Sequence, residues 1–541
     1  MNNSFEISGN VVDLINETIY AANLTIDNGK IVKIIKSKKV LKNYILPGFI
    51  DAHVHIESSM LPPSEFARLA SPHGTIATVS DPHEIANVMG LKGVLWMIEN
   101  AKKVPFKFYF GAPSCVPATD FETSGARITK DDIKLLFEQY DLKYLSEMMN
   151  YPGVLFKFPD VIDKINIAKK FGKPIDGHAP GLKGKDAKTY IKSGITTDHE
   201  SFNLKEAKEK IKHGMKILIR EGSAAKNFET LAPLIEESPD MLMFCTDDSH
   251  PDTLQKQHIR EIVLRAFDLG YDLINVLKIA CINPVKHYNL DIGLLQKGDP
   301  ADFIIVDNFQ DFNVLQTYVD GKIIAENGKT TIKHTKVSPI NKFEAKPKSE
   351  SDFKLPVKKG NYPVIEAIDG ELITERFDYI INKSMKDFAS DFDNDILKIS
   401  VINRYNNSKP AVALIKNFGL KKGAIATSVA HDSHNIIAIG VDNKSLTNAV
   451  NAIIEHKGGM AVYDGNKTDV LPLPIAGLLS TDKGEKVAEK YQILQHKVKE
   501  LGTNLVSPFM TLSFMALLVI PKIKLSDKGL FDGQKFQFIE I

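Results

Sequence analysis

Tyr44-Ile-Leu-Pro-Gly-Phe-Ile-Asp-Ala-His-Val-His55 is a short apolar run, broken once by Pro-Gly, that ends on two histidines two positions apart. On a strand, side chains two apart share a face, so His53 and His55 can reach one metal ion together. Alone, a His-x-His pair is commonplace; its place at the end of an apolar strand gives it weight. Seven further runs repeat the theme: 75–84 (TIATVSDPHE), 106–115 (FKFYFGAPSC), 143–150 (KYLSEMMN), 173–180 (KPIDGHAP), 195–201 (ITTDHES), 216–223 (KILIREGS) and 241–250 (MLMFCTDDSH). Each ends in polar, chemically able residues. Amphipathic stretches such as 85–103, 160–171, 204–213 and 259–269 lie between them. Eight strand–helix units predict an α/β fold of the (β/α)8 TIM-type barrel class, whose chemistry sits at the carboxyl ends of the strands. A doubly wound sheet alternates in the same way, but no Gly-x-Gly-x-x-Gly follows the first strand here.

The flanks read differently. Residues 1–48 contain short β-branched runs, and Asn28-Gly29 between two of them is a strong hairpin signal. The pieces 301–306 (ADFIIV) and 321–324 (GKII) have the same character. The pattern predicts a small β-sandwich from 1–48 and 290–335, the barrel over 49–289, and a Lys-, Pro- and Ser-rich linker over 336–360. A C-terminal α+β domain is expected over 361–541, mixing strand-like pieces (397–405, 435–441, 458–464) with helical ones (444–456, 484–501).

Across 541 residues, Lys+Arg number 68 and Asp+Glu 67, a net charge of +1. That balance gives no support to a bulk electrostatic grip on nucleic acid or an anionic membrane. With 43% hydrophobic and 25% charged residues the chain is globular in composition. Its three cysteines cannot form a disulfide framework and suit a reducing compartment. The first residues lack the basic and apolar regions of a signal peptide. The longest apolar run near the C-terminus, Phe514 to Ile520, is far short of the roughly 20 residues of a membrane span. The expected setting is cytoplasmic, and the expected partner a small molecule.

Four more residues stand at strand ends: Glu147 after the fourth, His178 after the fifth, His199 after the sixth and Asp247 after the eighth. Asp247 follows its strand directly and is taken in preference to Asp248. Four imidazoles and two carboxylates form a mixed N/O set, which suits Zn, Mn or Fe rather than Mg or Ca. Six ligands exceed what one catalytic ion with an open position takes, whereas two ions sharing a carboxylate use them all. His83 and Glu84 end the second run, Ser114 and Cys115 the third, and Arg220 the seventh. His83, Glu84 and Arg220 are candidates for substrate contact or proton transfer, with helix capping or loop ion pairing accounting for them equally well, and Ser114 and Cys115 are weaker candidates for the pocket wall. His83-Glu84 lacks the second histidine of a zinc-protease HExxH. His55-Ile-Glu57 has the H-x-E of cytidine-deaminase-type zinc enzymes without their Pro-Cys-x-x-Cys. His431-Asp-Ser-His434 reads as a polar turn in preference to a further metal site.

The ordered set Pro-Gly-Phe-Ile-Asp-x-His-x-His, then His, His and Asp after strands five, six and eight, resembles the amidohydrolase superfamily over about residues 1–330. Longer stretches at 47–61, 73–90, 146–154, 177–182, 197–201, 220–227, 245–252 and 426–440 resemble the adenine deaminase family of bacteria and archaea, over nearly the whole chain. The resemblance implies hydrolytic deamination of adenine to hypoxanthine and ammonia, a purine-salvage reaction. It also implies two divalent ions, Mn or Fe, with Zn suiting the ligands as well. Glu147 then stands as the bridge, where many relatives use a carbamylated lysine. His53, His55 and Asp247 complete one ion, and His178 and His199 the other. Water activated between the ions adds to C6. Asp247 shuttles its proton to the leaving amine, and Glu84 is the nominee for protonating a ring nitrogen. His83, Ser114 and Arg220 are expected at the substrate, and a homodimer is the expected assembly. The rivals are a cyclic amide hydrolase of the same superfamily and a non-catalytic scaffold relative. Missing ligands would mark the scaffold, and all six are present.

Overall fold

Alternation sets the first strands. Ala22, Leu24 and Ile26 of one strand are fully buried while their neighbours are wholly or partly exposed. Four strands open the chain: β1 (Phe5–Asp13), β2 (Thr18–Asp27), β3 (Lys30–Lys36) and β4 (Tyr44–Pro47). Asp27 pairs with Lys30 around Asn28-Gly29, whose φ values of 48° and 80° are those a two-residue hairpin demands.

Eight parallel strands follow, where the apolar runs place them: β5 (Phe49–Val54), β6 (Thr75–Ser80), β7 (Lys107–Ala112), β8 (Tyr144–Met148), β9 (Ile175–Gly177), β10 (Thr197–Asp198), β11 (Lys216–Arg220) and β12 (Leu242–Cys245). The Thr196 amide donates to the Ile175 carbonyl at 2.8 Å and ties the β9 and β10 ends together. The ring closes where the Asp247 amide donates to the His53 carbonyl and the His55 amide donates to the Asp247 carbonyl, both at 2.9 Å. Residues of β5, β6 and β12 are buried on both faces, which is why these runs do not alternate between buried apolar and exposed polar positions. Phe49, Ile217, Ile219 and Phe244 share one core with Ile259, Ile262, Val263 and Ala266 of the helix Ile259–Asp268. A Cβ on Gly177 would stand 2.4 Å from the Thr197 carbonyl oxygen, so the close approach of β9 and β10 requires glycine before His178.

After the barrel come β13 (Phe303–Val306), β14 (Val314–Val319), β15 (Lys322–Glu326) and β16 (Lys329–Thr330). They join the opening strands in one continuous eight-stranded sheet, ordered β16-β15-β14-β13-β4-β1-β2-β3. Leu24 and Ile31 from one half and Phe303 and Tyr318 from the other share a single core.

The structure is a computed structural model, described over residues 4–39, 41–223 and 225–540; Ala224, inside the 220–227 stretch, Val40 and the extreme ends of the first and last predicted segments lie outside these residues. The chain divides into two units. The first holds the barrel and the sheet just described. The second comprises His83–Val94, Cys115–Ile128 and Lys336–Ile541. Two short excursions that follow β6 and β7 in sequence therefore belong with the C-terminal region.

The second unit is built on an eight-stranded sheet of β17 (Gly360–Ala367), β18 (Thr374–Ile381), β19 (Ile396–Ile402), β20 (Ala411–Lys416), β21 (Ala424–Thr427), β22 (Ile436–Gly440), β23 (Gly459–Tyr463) and β24 (Thr468–Pro472), in the order β18-β17-β20-β19-β22-β21-β23-β24. The helix Asn443–Glu455 lays Leu446, Ala449, Val450 and Ile453 on the small side chains Ala424, Ala426, Ala438 and Ala461. Asp442 caps it, accepting from the Ser445 amide at 2.7 Å. The polar segment 336–360 is bonded into this unit. The Glu344 amide donates to the Arg404 carbonyl at 2.7 Å, the Lys348 amide to Asn451 Oδ1 at 2.8 Å, and Phe353 is fully buried. Among the described residues no helix is long and apolar enough to cross a membrane.

Candidate metal centre

The carboxyl ends of the barrel strands bring together all six residues expected as ligands. His53 and His55 share the end of β5, with ring centroids 4.8 Å apart at 87°. Asp247 leaves β12 in the left-handed region, φ 59°, and the paired backbone bonds to His53 and His55 fix its place. Its Oδ1 lies 3.4 Å from His53 Nε2 and 3.1 Å from His55 Nε2. At the end of β8, Glu147 divides its oxygens. Oε1 is 3.3 Å from His55 Nε2, while Oε2 is 2.9 Å from His178 Nδ1 and 3.3 Å from His199 Nε2. The His199 ring stacks on His53 at 4.2 Å. These residues are all buried, with His178, at 8% exposed, the most open.

The donor set fits divalent cations. Ligand atoms about 2.1 Å from a shared ion stand roughly 3.0–3.4 Å apart, close to the separations found here. Both ring nitrogens of His53, and Nε2 of His178, are buried with no hydrogen-bond partner, a state that costs about 1–3 kcal/mol per polar group unless something else binds there. His53, His55 and Asp247 form one group that could hold an ion, His178, His199 and Glu200 a second, and Glu147 groups with His53 of the first and His199 of the second.

The electrostatics agree. Burial pushes the Glu147 carboxyl up, but His178, His199 and His55 outweigh it and hold it well below the usual carboxylate range. Burial also opposes ionisation of Asp247, and Arg220 and His199 overcome it. The His53 imidazole is pushed down, by burial first and then by His199, which keeps it neutral as a ligand must be. Burial disfavours the charged form of His199, yet Asp247 and Glu147 draw it up to about 9. Burial likewise opposes the charged forms of His55 and His178, yet the surrounding carboxylates, Asp247 and Glu147 for the first and Glu200 and Glu147 for the second, raise both, so these imidazoles must give up protons for an ion to bind.

Two residues expected at the substrate are engaged elsewhere. Arg220 is 1% exposed; its NH1 donates to Asp247 Oδ2 at 2.6 Å and to Glu200 Oε1, and its NH2 to Glu200 Oε2 at 3.2 Å. Ser114 Oγ donates to the Glu147 carbonyl at 2.6 Å. Glu200 was not singled out from the sequence, although it directly follows His199; its carboxylate lies 3.4 Å from His199 Nε2 and 3.7 Å from His178 Nδ1. His83 and Glu84 belong to the second unit. There His83 Nε2 stands 3.6 Å from Glu84 Oε1 and 3.9 Å from Asp432 Oδ1, and Glu84 bonds to His431 and His434.

A closed parallel barrel with histidines and carboxylates gathered at the carboxyl ends of its strands is the architecture of the amidohydrolase family, whose pattern matches residues 44–324, and the chain belongs to that family. The pattern of the adenine deaminase C-terminal domain matches residues 371–537. The adenine deaminase of Sulfurovum sp. (strain NBC37-1) is 54% identical over 536 residues, covering 99% of both chains. Those of Salinibacter ruber and Methanosarcina mazei are each 52% identical, the first covering 99% of both chains and the second 98%. Within the amidohydrolases, the chain is a member of the adenine deaminase family.

Proposed function

We propose that this protein hydrolyses adenine: adenine and water give hypoxanthine and ammonia. The observation that carries the reading is the division of Glu147, one oxygen toward His55 and the other toward His178 and His199. Such a division would suit a carboxylate shared between two cations. We assign His53, His55 and Asp247 to one divalent ion and His178 and His199 to the other, with Glu147 common to both; Mn or Fe is our preference, and Zn suits the same donors. Bound there, the pair lowers the pKa of water from 15.7 toward about 7, so that a nucleophile for C6 exists at neutral pH.

The chain's own groups move the protons. Water brings two: one ends on the ring nitrogen of hypoxanthine and one on the departing ammonia. Asp247 takes a proton on Oδ1 and delivers it to the amine at C6, while Arg220 holds Oδ2 in place. Glu84 handles the proton of the ring nitrogen. His83 is retained as a substrate contact, whereas Ser114 and Arg220 act by fixing Glu147 and Asp247. The buried thiols Cys115, Cys245 and Cys281 suit a reducing cytoplasm, and a homodimer remains our reading of the assembly. The test is ammonia release from adenine by protein reconstituted with Mn, Fe or Zn. Ammonia together with stoichiometric hypoxanthine is expected. No ammonia from adenine, with a cyclic amide opened instead, would overturn the assignment.

A further inference from the structure

Glu84 lies in the helix His83–Met89 of the second unit and is 2% exposed. Each of its oxygens is taken by an imidazole: Oε1 by His431 Nδ1, and Oε2 by His434 Nε2. For His434 the backbone places the proton. The Ala430 amide donates to His434 Nδ1 at 3.2 Å, so Nδ1 is bare and Nε2 carries the hydrogen that goes to Glu84. The segment bearing both histidines is braced in turn. Arg404 NH1 donates to the His434 carbonyl at 3.3 Å, and the Tyr405 hydroxyl to the Ser433 carbonyl at 2.5 Å. Asn435 Nδ2 donates to the Thr123 carbonyl at 2.9 Å, and the His431 ring stacks on Phe514 at 5.0 Å.

We propose that His431 and His434 are positioning residues of the deamination, fixing the Glu84 carboxylate in one orientation for the proton it transfers. The proposal rests on the reading of Glu84 as the group serving the ring nitrogen. An ionised carboxylate has about four acceptor sites. One imidazole on each oxygen, with the His83 ring a further 3.6 Å from Oε1, stops rotation about the terminal torsion, which is otherwise broad, and leaves acceptor capacity for the travelling proton. Such orientation is where much of a catalytic group's efficiency resides. Burial opposes the charged form of Glu84, yet His431, His434 and His83 hold its carboxyl well below the usual range. Glu84 therefore meets the reaction as an acceptor. It takes a proton released by water and returns it to the ring nitrogen, so none is gained or lost.

The test uses the full-length, metal-loaded protein and two kinds of variant. Asparagine places an amide N–H near the position of His Nδ1, and glutamine near that of Nε2. H431N and H434Q should keep kcat within about tenfold of the parent. H431L, H434L and the short amide H434N should lose roughly 10²–10⁴-fold in kcat, the usual worth of an acid–base group. KM for adenine and a content of two ions should not change. Leucine variants with parental kcat, or folded isosteres as impaired as the leucines, would overturn the proposal. If the leucine variants melt, H434Q against H434N decides it alone. E84Q separates the two layers. An active E84Q removes Glu84 from the mechanism, whereas an inactive E84Q beside fully active leucine variants removes only the positioning role.

Discussion

Two buried clusters in this chain are made from the same residue types and differ in one respect. Around Glu147, the imidazoles of His55, His178 and His199 stand 2.9–3.3 Å from a carboxylate, and three histidine nitrogens nearby have no hydrogen-bond partner at all. Around Glu84, each carboxylate oxygen receives an imidazole, and the bare nitrogen of His434 is satisfied by a backbone amide. The first cluster is a candidate for cations; in the second, the Glu84 oxygens and the His434 ring are engaged by hydrogen bonds, although His83, Glu84 and Asp432 also form a group that could hold an ion. Burial and residue type do not separate a ligand set from a proton-handling network.

The largest effect should come from E147A. With the shared carboxylate gone, metal content and activity should fall together, by about 10³-fold or more in kcat, beyond the roughly 10–100-fold typical of losing an outer-shell partner. Elemental analysis alongside turnover checks this, and full metal with full activity would remove Glu147 from the bridge. D247N should fall less in metal than in turnover, because an amide can still ligate weakly but cannot shuttle a proton. Rates at saturating Mn, compared with bound metal per chain, show whether the two separate.

Next is Arg220. R220M leaves Glu200 and Asp247 as buried charges without their counter-ion, a change of about 3–5 kcal/mol in similar settings. Urea unfolding of the metal-free protein should show that loss; an unchanged midpoint would mean that the triad is not holding the site together.

The last effect, on stability and not on turnover, lies far from either cluster. Lys524 is fully buried, its Nζ donating to the Leu372 carbonyl at 2.6 Å, and burial pushes its pKa down to about 7. The unfolded lysine titrates near 10.4, so between these values the unfolded chain holds a proton that the folded chain lacks. Stability should then rise with pH from about 7 to 10, with the penalty fully present below 7. K524M should raise Tm at pH 6–7 and lose that advantage near pH 10. A pH-independent difference would contradict the buried neutral amine.

The convergence of the six candidate ligands was legible because strand period and strand ends are local properties: two residues apart on β5 means one face, and the last residue of a parallel strand means the rim. Glu200 was passed over because it neighbours a ligand in sequence, and only the folded rim shows its carboxylate returning to His178 and His199. The ion pairs of Arg220 could not be assigned from sequence because its partners, Glu200 and Asp247, lie 20 and 27 positions away. The membership of His83–Val94 and Cys115–Ile128 in the second unit was invisible for a similar reason, since helical periodicity says which face is apolar but not against what. Segment 336–360 has the composition of a linker. It is held by Arg404, whose guanidinium donates to Asn341, Lys342 and Ala476 without any carboxylate, a use of arginine that leaves no trace in sequence.

Metal stoichiometry in E147Q and E84Q, measured side by side on protein reconstituted in excess Mn, tests the central distinction most directly. The account predicts that E84Q keeps two ions per chain while losing turnover, and that E147Q fails to hold both. Two ions retained in E147Q, or a parent protein holding a third ion that disappears in E84Q, would contradict it.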